Sequence, residues 1–176
     1  MGGNGLLNYS HVANSLGAAL WRWICALAIS AATVAVDQLS KALVCSALPV
    51  GKEIVLIEGV LHLKHVRNYG IAFGLAHDIG DGLILLSILC LAAMLLWGRH
   101  MICEHVLTCV AFGLMFGGGI GNTLDRFFRG SVVDFIDLRV WPIFNIADIS
   151  LTIGTLGIIA MLLVQRMRKQ KPVEPC

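Results

Sequence analysis

Four long apolar segments alternate with polar segments along the chain, and each is long enough to cross a lipid bilayer. They cover residues 17–36, 81–97, 102–121 and 146–164. A membrane-spanning helix needs about 20 mostly apolar residues. The pattern therefore predicts an all-α membrane protein with four transmembrane helices, organised as a single membrane-embedded domain over residues 1–176.

The segments outside these spans are polar at both ends of the chain. Residues 1–16 form a lead that we expect to be flexible and without regular structure, and residues 165–176 form a basic tail. A cleaved signal peptide is an alternative interpretation of the first span. No Lys or Arg precedes Arg22, and the apolar run is longer than the core of a signal peptide, which favours an uncleaved span.

Two long loops lie on the same side of the predicted membrane and carry strand patterns. In the first loop, residues 54–57 and 60–66 form two short strand-like runs around Glu58-Gly59, which is typical of a β-hairpin. The second loop contains the alternating run 132–140. We therefore expect a small β-sheet or hairpin region outside the membrane.

The composition agrees with lipid as the main solvent, because 57% of the residues are hydrophobic and only 14% are charged. Soluble domains carry about 25% charged residues. The net charge of +2 is too small to indicate nucleic-acid binding. The basic tail favours cytoplasmic termini by the positive-inside rule, although Lys and Arg divide almost evenly between the two sides.

The acidic residues are distributed unevenly between the two sides. Most of them lie on the side of the long loops: Asp37, Glu53, Glu58, Asp78, Asp81, Asp125, Asp134, Asp137 and Asp148. A proton or ion pathway would have acidic residues at several depths across the bilayer. The clustering favours chemistry at one membrane surface, with a proton-coupled transporter and a non-catalytic membrane scaffold as the alternatives.

Two spacings predict specific contacts, one just after the first span and one within the third. Asp37 and Lys41 are four residues apart with the acid first, so they can form an ion pair whose role is structural or functional. Gly113, Gly117 and Gly121 repeat at four-residue spacing, which predicts close packing against another helix.

A third group of polar residues shares a helix face if the third helix continues past Gly121. These residues are Asn122, Asp125 and Arg126. Because Arg126 is adjacent, we expect Asp125 to be ionised and to form a structural or substrate-orienting pair with it.

The first long loop contains a turn signal and two histidines. Asn68 and Gly70, in the block 68–73, permit unusual backbone angles and are typical of a turn. His62 and His65 are three apart in a predicted strand, so they point to opposite faces and would not converge on one metal ion. We therefore expect no metal site.

Local structure explains Asp134 and Asp148 less well than the other acids. Asp134 lies on an otherwise apolar face of the run 132–140, where burial raises the pKa of a carboxyl group. Asp148 leads into the fourth span and follows Asn145, the expected N-cap, by three residues. Two carboxyl groups that share a proton can act as acid and base, as in aspartic proteases. A carboxylate-dyad hydrolase is one of the interpretations that the residues leave open.

Five sequence blocks, taken together, resemble the signature motifs of the signal peptidase II family, the lipoprotein signal peptidases. The blocks are Asp37-Gln-Leu-Ser-Lys41, Asn68-Tyr-Gly-Ile-Ala-Phe73, Gly118-Gly-Ile-Gly-Asn-Thr-Leu-Asp-Arg126, Val132-Val-Asp-Phe135 and Phe144-Asn-Ile-Ala-Asp148. The resemblance covers all four predicted spans and both long loops. It implies a membrane-embedded aspartyl endopeptidase that removes signal peptides from diacylglyceryl-modified prolipoproteins, cleaving before the lipidated cysteine.

The resemblance also implies roles for individual residues. Asp134 and Asp148 match the catalytic aspartates. Substrate-binding or site-shaping positions are matched by Asp37, Lys41, Asn68, Gly70, Asn122, Asp125, Arg126 and Asn145. The family implies no metal or other cofactor, inhibition by globomycin-type cyclic peptides, and a multi-pass location in the bacterial cytoplasmic (inner) membrane. The termini would be cytoplasmic, and the site would lie near the outer leaflet, in contact with lipid and covered by a small β-sheet.

Overall fold

The computed structural model describes residues 4–70, 80–101 and 105–169. Its elements, in chain order, are α1 (Asn4–Ala47), β1 (Glu53–Ile57), β2 (Leu61–Asn68), α2 (Gly80–Met101), α3 (Val106–Arg129), β3 (Val132–Asp137) and α4 (Ile146–Lys169). Each of the four helices contains a stretch long and apolar enough to cross a membrane. The predicted architecture of four spans with a small sheet is confirmed.

The start of the chain differs from the prediction. Helix α1 begins at Asn4, so the expectation of a lead without regular structure is wrong for residues 4–16. No proline interrupts this stretch, and adding residues to an existing helix is much easier than nucleating a new one. Residues 170–176, the end of the predicted basic tail, lie outside the described residues.

The third span also differs at both ends. Helix α3 begins at Val106, and residues 102–104 of the predicted span lie outside the described residues. It continues past Gly121 to Arg129 and ends at Gly130, which has φ 68°. The longer helix fulfils the condition under which Asn122, Asp125 and Arg126 occupy one helical segment.

Helix α1 lies against α3 along the predicted row of glycines. A Cβ atom on Gly113 would lie 2.7 Å from the carbonyl oxygen of Ala26, and one on Gly117 would lie 2.7 Å from that of Ser30. Real Cβ atoms essentially never approach another atom within 3.0 Å. The predicted close packing is confirmed, and it excludes any larger residue at these two positions without a shift of α1.

Helix α4 also packs closely on α3 at positions occupied by glycine. A Cβ atom on Gly154 would lie 2.6 Å from the backbone nitrogen of Met115, and one on Gly118 would collide with the carbonyl oxygen of Ala147. In their most apolar windows, α3 has 56% of its residues buried and α2 only 6%. Helix α3 is therefore the centre of the bundle, and α2 lies at its edge.

The sheet is antiparallel, with strand order β1-β2-β3. The predicted hairpin is confirmed, with Gly59 at φ 71° in its turn. Strand β3 ends at Asp137 instead of continuing to Val140, because the chain turns at Arg139, which has φ 64°. Strand β3 pairs with β2, and this pairing sets Val66 opposite Asp134.

Candidate active site

The buried ammonium group of Lys41 is the centre of the polar cluster. Its Nζ atom lies 2.8 Å from Asp37 Oδ2, 2.8 Å from Asp125 Oδ2 and 3.1 Å from Asn122 Oδ1. The side chains of Lys41 and both acids are fully buried. The three N–H donors of the ammonium are therefore all used, and the predicted Asp37–Lys41 pair is confirmed.

Asp37 joins α1 to α4 with its other carboxylate oxygen. Oδ1 accepts a hydrogen bond of 2.9 Å from the backbone N–H of Ala147, in the first turn of α4. A Cβ atom on Gly121 would lie 2.6 Å from Asp37 Oδ2. Glycine at this position thus gives the carboxylate access to the helix junction.

Asp125 has a different basic partner from the one predicted. Its carboxylate pairs with Lys41 and with Arg129, one helical turn later, whereas no pair with Arg126 occurs. Residues at i and i+4 lie on the same helix face, and residues at i and i+1 do not. The prediction of an Asp125–Arg126 pair is therefore wrong. The backbone N–H of Val133 also donates to Asp125 Oδ2 at 3.1 Å, which connects α3 to β3.

Gln38 completes the shell around these acids. Its amide nitrogen donates to Asp37 and Asp125, both at 3.1 Å, and its amide oxygen accepts from Arg129 at 2.7 Å. The sequence reasoning missed both Gln38 and Arg129. The i+4 spacing from Asp125 is a signal that could have identified Arg129, but no local pattern marks Gln38.

Asp148 is held by the cap of its own helix. The N–H of Asp148 donates to Asn145 Oδ1 at 2.9 Å, and the N–H of Asn145 donates to Asp148 Oδ2 at 3.2 Å. This reciprocal arrangement is a capping box, which satisfies two backbone donors that a helix start otherwise leaves unpaired. The predicted N-cap at Asn145 is confirmed.

The side-chain amide of Asn145 connects the two candidate catalytic acids. Its Nδ2 atom donates to Asp134 Oδ1 at 2.7 Å and lies 3.1 Å from Asn122 Oδ1. Asn122 in turn donates to Asp148 Oδ1 at 2.8 Å. Asp134 and Asp148 therefore belong to one hydrogen-bonded unit, and this unit continues through Asn122 to Lys41.

Asp134 is buried on β3, beside the end of β2. Its Oδ2 atom accepts a hydrogen bond of 2.9 Å from Asn68. Burial raises the pKa of Asp134 above its ordinary value, and nearby Asp148 adds to the rise, while the hydrogen bonds from Asn68 and Asn145 and the charge of Lys41 oppose it. The predicted rise in pKa has the predicted cause, which is desolvation.

Asn68 is oriented by a turn. The N–H of Gly70 donates to Asn68 Oδ1 at 2.8 Å, which leaves the amide nitrogen of Asn68 free to donate to Asp134. Gly70 has φ 74°, a conformation that favours glycine. The predicted turn is confirmed at these two residues, and the rest of the block, residues 71–73, lies outside the described residues.

A cleft of about 250 Å³ opens beside Asn68. Its wall is formed by the end of β2, the start of α2 and the end of α3, and consists of Asn68, Tyr69, Asp81, Leu83, Ile84, Arg126, Phe127, Gly130 and Ser131. Arg126 thus faces a cleft next to the acids rather than the acid cluster itself. The hydroxyl of Ser131 is buried in this wall without a hydrogen-bond partner.

The remaining polar residues of the sheet do not converge on one point. His62 lies 3.6 Å from Glu53, whereas the ring of His65 hydrogen-bonds the carbonyl oxygen of Leu48 at 2.7 Å. In the described parts of the chain, no group of three His, Cys, Asp or Glu residues could hold a metal ion. Asp137 is buried and accepts a hydrogen bond of 2.8 Å from the backbone N–H of Arg139.

Comparisons with known proteins find relatives of similar sequence. A family model described as signal peptidase (SPase) II matches residues 29–164. The chain is 39% identical to a lipoprotein signal peptidase of Geobacillus kaustophilus over 132 residues, which is 73% of this chain and 86% of the relative. It is 36% identical to a lipoprotein signal peptidase of Gloeobacter violaceus, with 88% of each chain covered.

The fold is also similar to that of a solved protein. A bacterial membrane enzyme determined at 2.3 Å resolution superposes with a TM-score of 0.72 and 32% identity, covering 85% of this chain and 94% of that chain. A second bacterial membrane enzyme structure, at 1.9 Å, gives a TM-score of 0.70 at 33% identity.

The raised pKa of Asp134 predicts a specific pH dependence of stability. The folded state holds this proton more tightly than the unfolded state. The contribution of Asp134 to the free energy of unfolding is therefore fully present below about pH 4, and it is lost as the pH rises through the pKa of Asp134 in the folded state. Asp134→Asn removes the titration. Thermal unfolding in detergent between pH 4 and 8 should show the midpoint of the wild type falling relative to that of Asp134→Asn as the pH rises. Parallel curves would contradict the buried, proton-retaining state.

Proposed function

Because the chain belongs to the signal peptidase II family, we infer that its chemistry rests on a carboxylate dyad of Asp134 and Asp148. The protein is a multi-pass protease of the inner membrane that removes signal peptides from prolipoproteins. A transporter or a non-catalytic scaffold is not favoured, since the chain belongs to a peptidase family. The described acids also gather at one end of the bundle, which does not fit an ion pathway. We propose the aspartic type of catalysis, the residues that perform it and the orientation of the protein in the membrane.

The proposal of a dyad rests mainly on the bridge between the two acids. The amide of Asn145 donates to Asp134 and lies next to Asn122, which donates to Asp148. Each of the four carboxylate oxygens accepts a hydrogen bond. The groups that donate these bonds are side chains and backbone fixed by α3, α4 and the sheet, so both acids are held in place before any substrate binds.

We assign the resting proton to Asp134, because burial raises its pKa. Asp148 is only partly buried and acts as the base. It removes a proton from water while the water oxygen attacks the scissile carbonyl carbon, and Asp134 gives its proton to the carbonyl oxygen. The product of this step is a neutral tetrahedral diol.

Collapse of the diol completes the reaction. Asp148 gives its newly acquired proton to the amide nitrogen as the carbon–nitrogen bond breaks, and Asp134 takes a proton back from one hydroxyl of the diol. The products are a signal peptide with a new carboxyl group and a mature chain with a free amine on its cysteine. Both acids return to their starting states, and no step requires a metal ion.

The other motif residues shape the site or bind substrate in this proposal. The cluster of Asp37, Lys41 and Asp125 joins the helix ends that carry Asn122 and the Asn145–Asp148 cap. Gly70 orients Asn68 toward Asp134. Arg126, on the cleft wall, is placed to bind a carbonyl or ester oxygen of the substrate.

We propose that the substrate is the diacylglyceryl-modified precursor, cut before the lipidated cysteine near the outer leaflet. The dyad lies where α4 begins and the apolar span starts. Acyl chains that remain in the bilayer would hold the adjacent peptide bond at this depth, and a restricted position lowers the entropic cost of reaching the transition state.

The dyad is tested by neutralising each acid. Asp134→Asn and Asp148→Asn should each lower cleavage of a diacylglyceryl precursor by roughly a hundredfold or more, because each removes a proton-transfer group. The double variant should be scarcely slower than either single variant, since the two acids act as one unit. Purified proteins in detergent, with thermal midpoints recorded, provide the measurement. Chelator should leave wild-type cleavage unchanged.

Two matched neutralisations serve as controls for the dyad test. Glu58→Gln changes an exposed acid in the hairpin turn and should keep full activity. Asp125→Asn weakens the buried cluster and should lower the thermal midpoint while some turnover remains. Rapid cleavage by folded Asp134→Asn would refute the assignment of Asp134 as a catalytic acid and would make Asp125 the next candidate.

Substrate lipidation is tested with one peptide in two forms. The diacylglyceryl precursor should be cleaved far faster than the same peptide with a free cysteine, because burial of acyl chains contributes about 0.8 kcal/mol per CH₂ group. Globomycin should stop both reactions, which identifies the cleavage as that of this protein and not of a contaminant. Equal rates for the two peptides would refute recognition through the lipid.

Orientation is tested with topology reporters. We propose that the basic end of α4, with Arg166 and Arg168, is cytoplasmic and that the sheet is outside, by the positive-inside rule. A reporter inserted at Gly59, in the exposed hairpin turn, should be active outside, and one after Lys169 should be active inside. The reverse pattern, or both reporters on one side, would overturn this orientation.

A further inference from the structure

A second groove, of about 390 Å³, lies at the opposite end of the bundle from the dyad. It runs between the first turn of α3 and the last turns of α4, and its lining is mostly apolar. The apolar part is Val106, Leu107, Ala160, Met161 and Val164, and the polar part is His105, Gln165 and Arg168. Along α4 the apolar residues come first and Arg168 follows, so the groove has an apolar stem and a basic end.

The position of Arg168 matches a membrane boundary. It follows Asp148 by about 20 residues on the same helix, which is roughly 30 Å at 1.5 Å per residue. The hydrocarbon core of a bilayer is about 30 Å thick. With the dyad near one surface, Arg168 therefore lies at the level of the phospholipid headgroups of the other surface.

The charge at this end of the groove is not neutralised by the described protein. The side chain of Arg168 is exposed and forms no ion pair within residues 17–70, 81–98 and 105–168. Across these ranges, every acid belongs to the dyad end of the bundle. The start of α3, at His105, also has no side-chain cap. The N–H of Thr108 donates to the carbonyl oxygen of His105 at 3.1 Å, and the N–H groups of Val106 and Leu107 point toward the same end.

We propose that this groove binds one anionic phospholipid, with the headgroup phosphate on Arg168 and an acyl chain against Ala160, Met161 and Val164. A guanidinium binds phosphate oxygens in a bidentate manner, and basic pockets between transmembrane helices select anionic headgroups. The uncapped start of α3 adds donors for the same phosphate. The site is separate from the dyad, and its depth in the bilayer rests on the proposed position of the dyad near the outer leaflet.

A signal peptide fits this groove less well. Its amino-terminal region is positively charged, and it would meet Arg168 and Arg166 at the same depth. Like charges repel, whereas the phosphate of an anionic lipid is attracted to Arg168. The charge of the groove end thus favours the lipid as occupant.

Native mass spectrometry of the purified, detergent-solubilised protein tests the site with two probe lipids of equal chain length, phosphatidylglycerol and phosphatidylcholine. The wild type should retain one phosphatidylglycerol at least about tenfold better than phosphatidylcholine, which corresponds to about 1.4 kcal/mol. Arg168→Gln should abolish this preference. Arg166→Gln, the matched control on the same helix but outside the groove lining, should keep it.

A second variant tests the apolar stem. Ala160→Phe fills the groove and should reduce retention of both lipids while Arg168 is intact. Equal losses from Arg166→Gln and Arg168→Gln would mean diffuse surface attraction and would overturn the site. Equal retention of both lipids by the wild type would also overturn it. If Ala160→Phe slowed precursor cleavage and left lipid retention unchanged, the groove would hold the signal peptide instead.

Discussion

The structure depends on one buried positive charge, the ammonium group of Lys41. A charge in a membrane interior is costly unless it is paired and fully hydrogen-bonded. Lys41 meets this requirement only if α1 and α3 lie close enough for Asp37, Asp125 and Asn122 to contact it together. The glycines of α3 permit that distance, so helix packing and charge neutralisation are parts of the same constraint.

The candidate dyad is an extension of this cluster into the cap of α4 and strand β3. Asn122 contacts Lys41 with its oxygen and Asp148 with its nitrogen, and Asn145 contacts both Asn122 and Asp134. The groups that cap α4 are thus the groups that hold the acids. A change in the cap would alter both the start of the helix and the geometry of the carboxyl groups, which makes stability and catalysis difficult to separate at Asn145.

Contacts between near neighbours could be predicted from the sequence, and contacts between distant segments could not. The Asp37–Lys41 pair and the Asn145–Asp148 cap follow from spacings of four and three residues, and the structure contains both. The hydrogen bond from Ala147 to Asp37 joins positions 110 apart, and no local pattern encodes it. The Asp125 partner was misassigned because adjacency in sequence was given more weight than helix geometry. The resemblance to family motifs predicted that Asp134 and Asp148 act as a pair, whereas the periodicity of the sequence alone left several interpretations of these acids open.

The spacing of Asp37 and Lys41 also bears on biosynthesis. Helix α1 leaves the ribosome well before α3, since Lys41 and Asn122 are 81 positions apart. During that interval Lys41 has no partner on another helix, but Asp37 lies one turn before it on the same helix. The helix therefore enters the bilayer with the ammonium of Lys41 already paired with Asp37, and this pair persists until α3 inserts. A lysine whose only counter-ion came from α3 would have to be inserted as a bare charge.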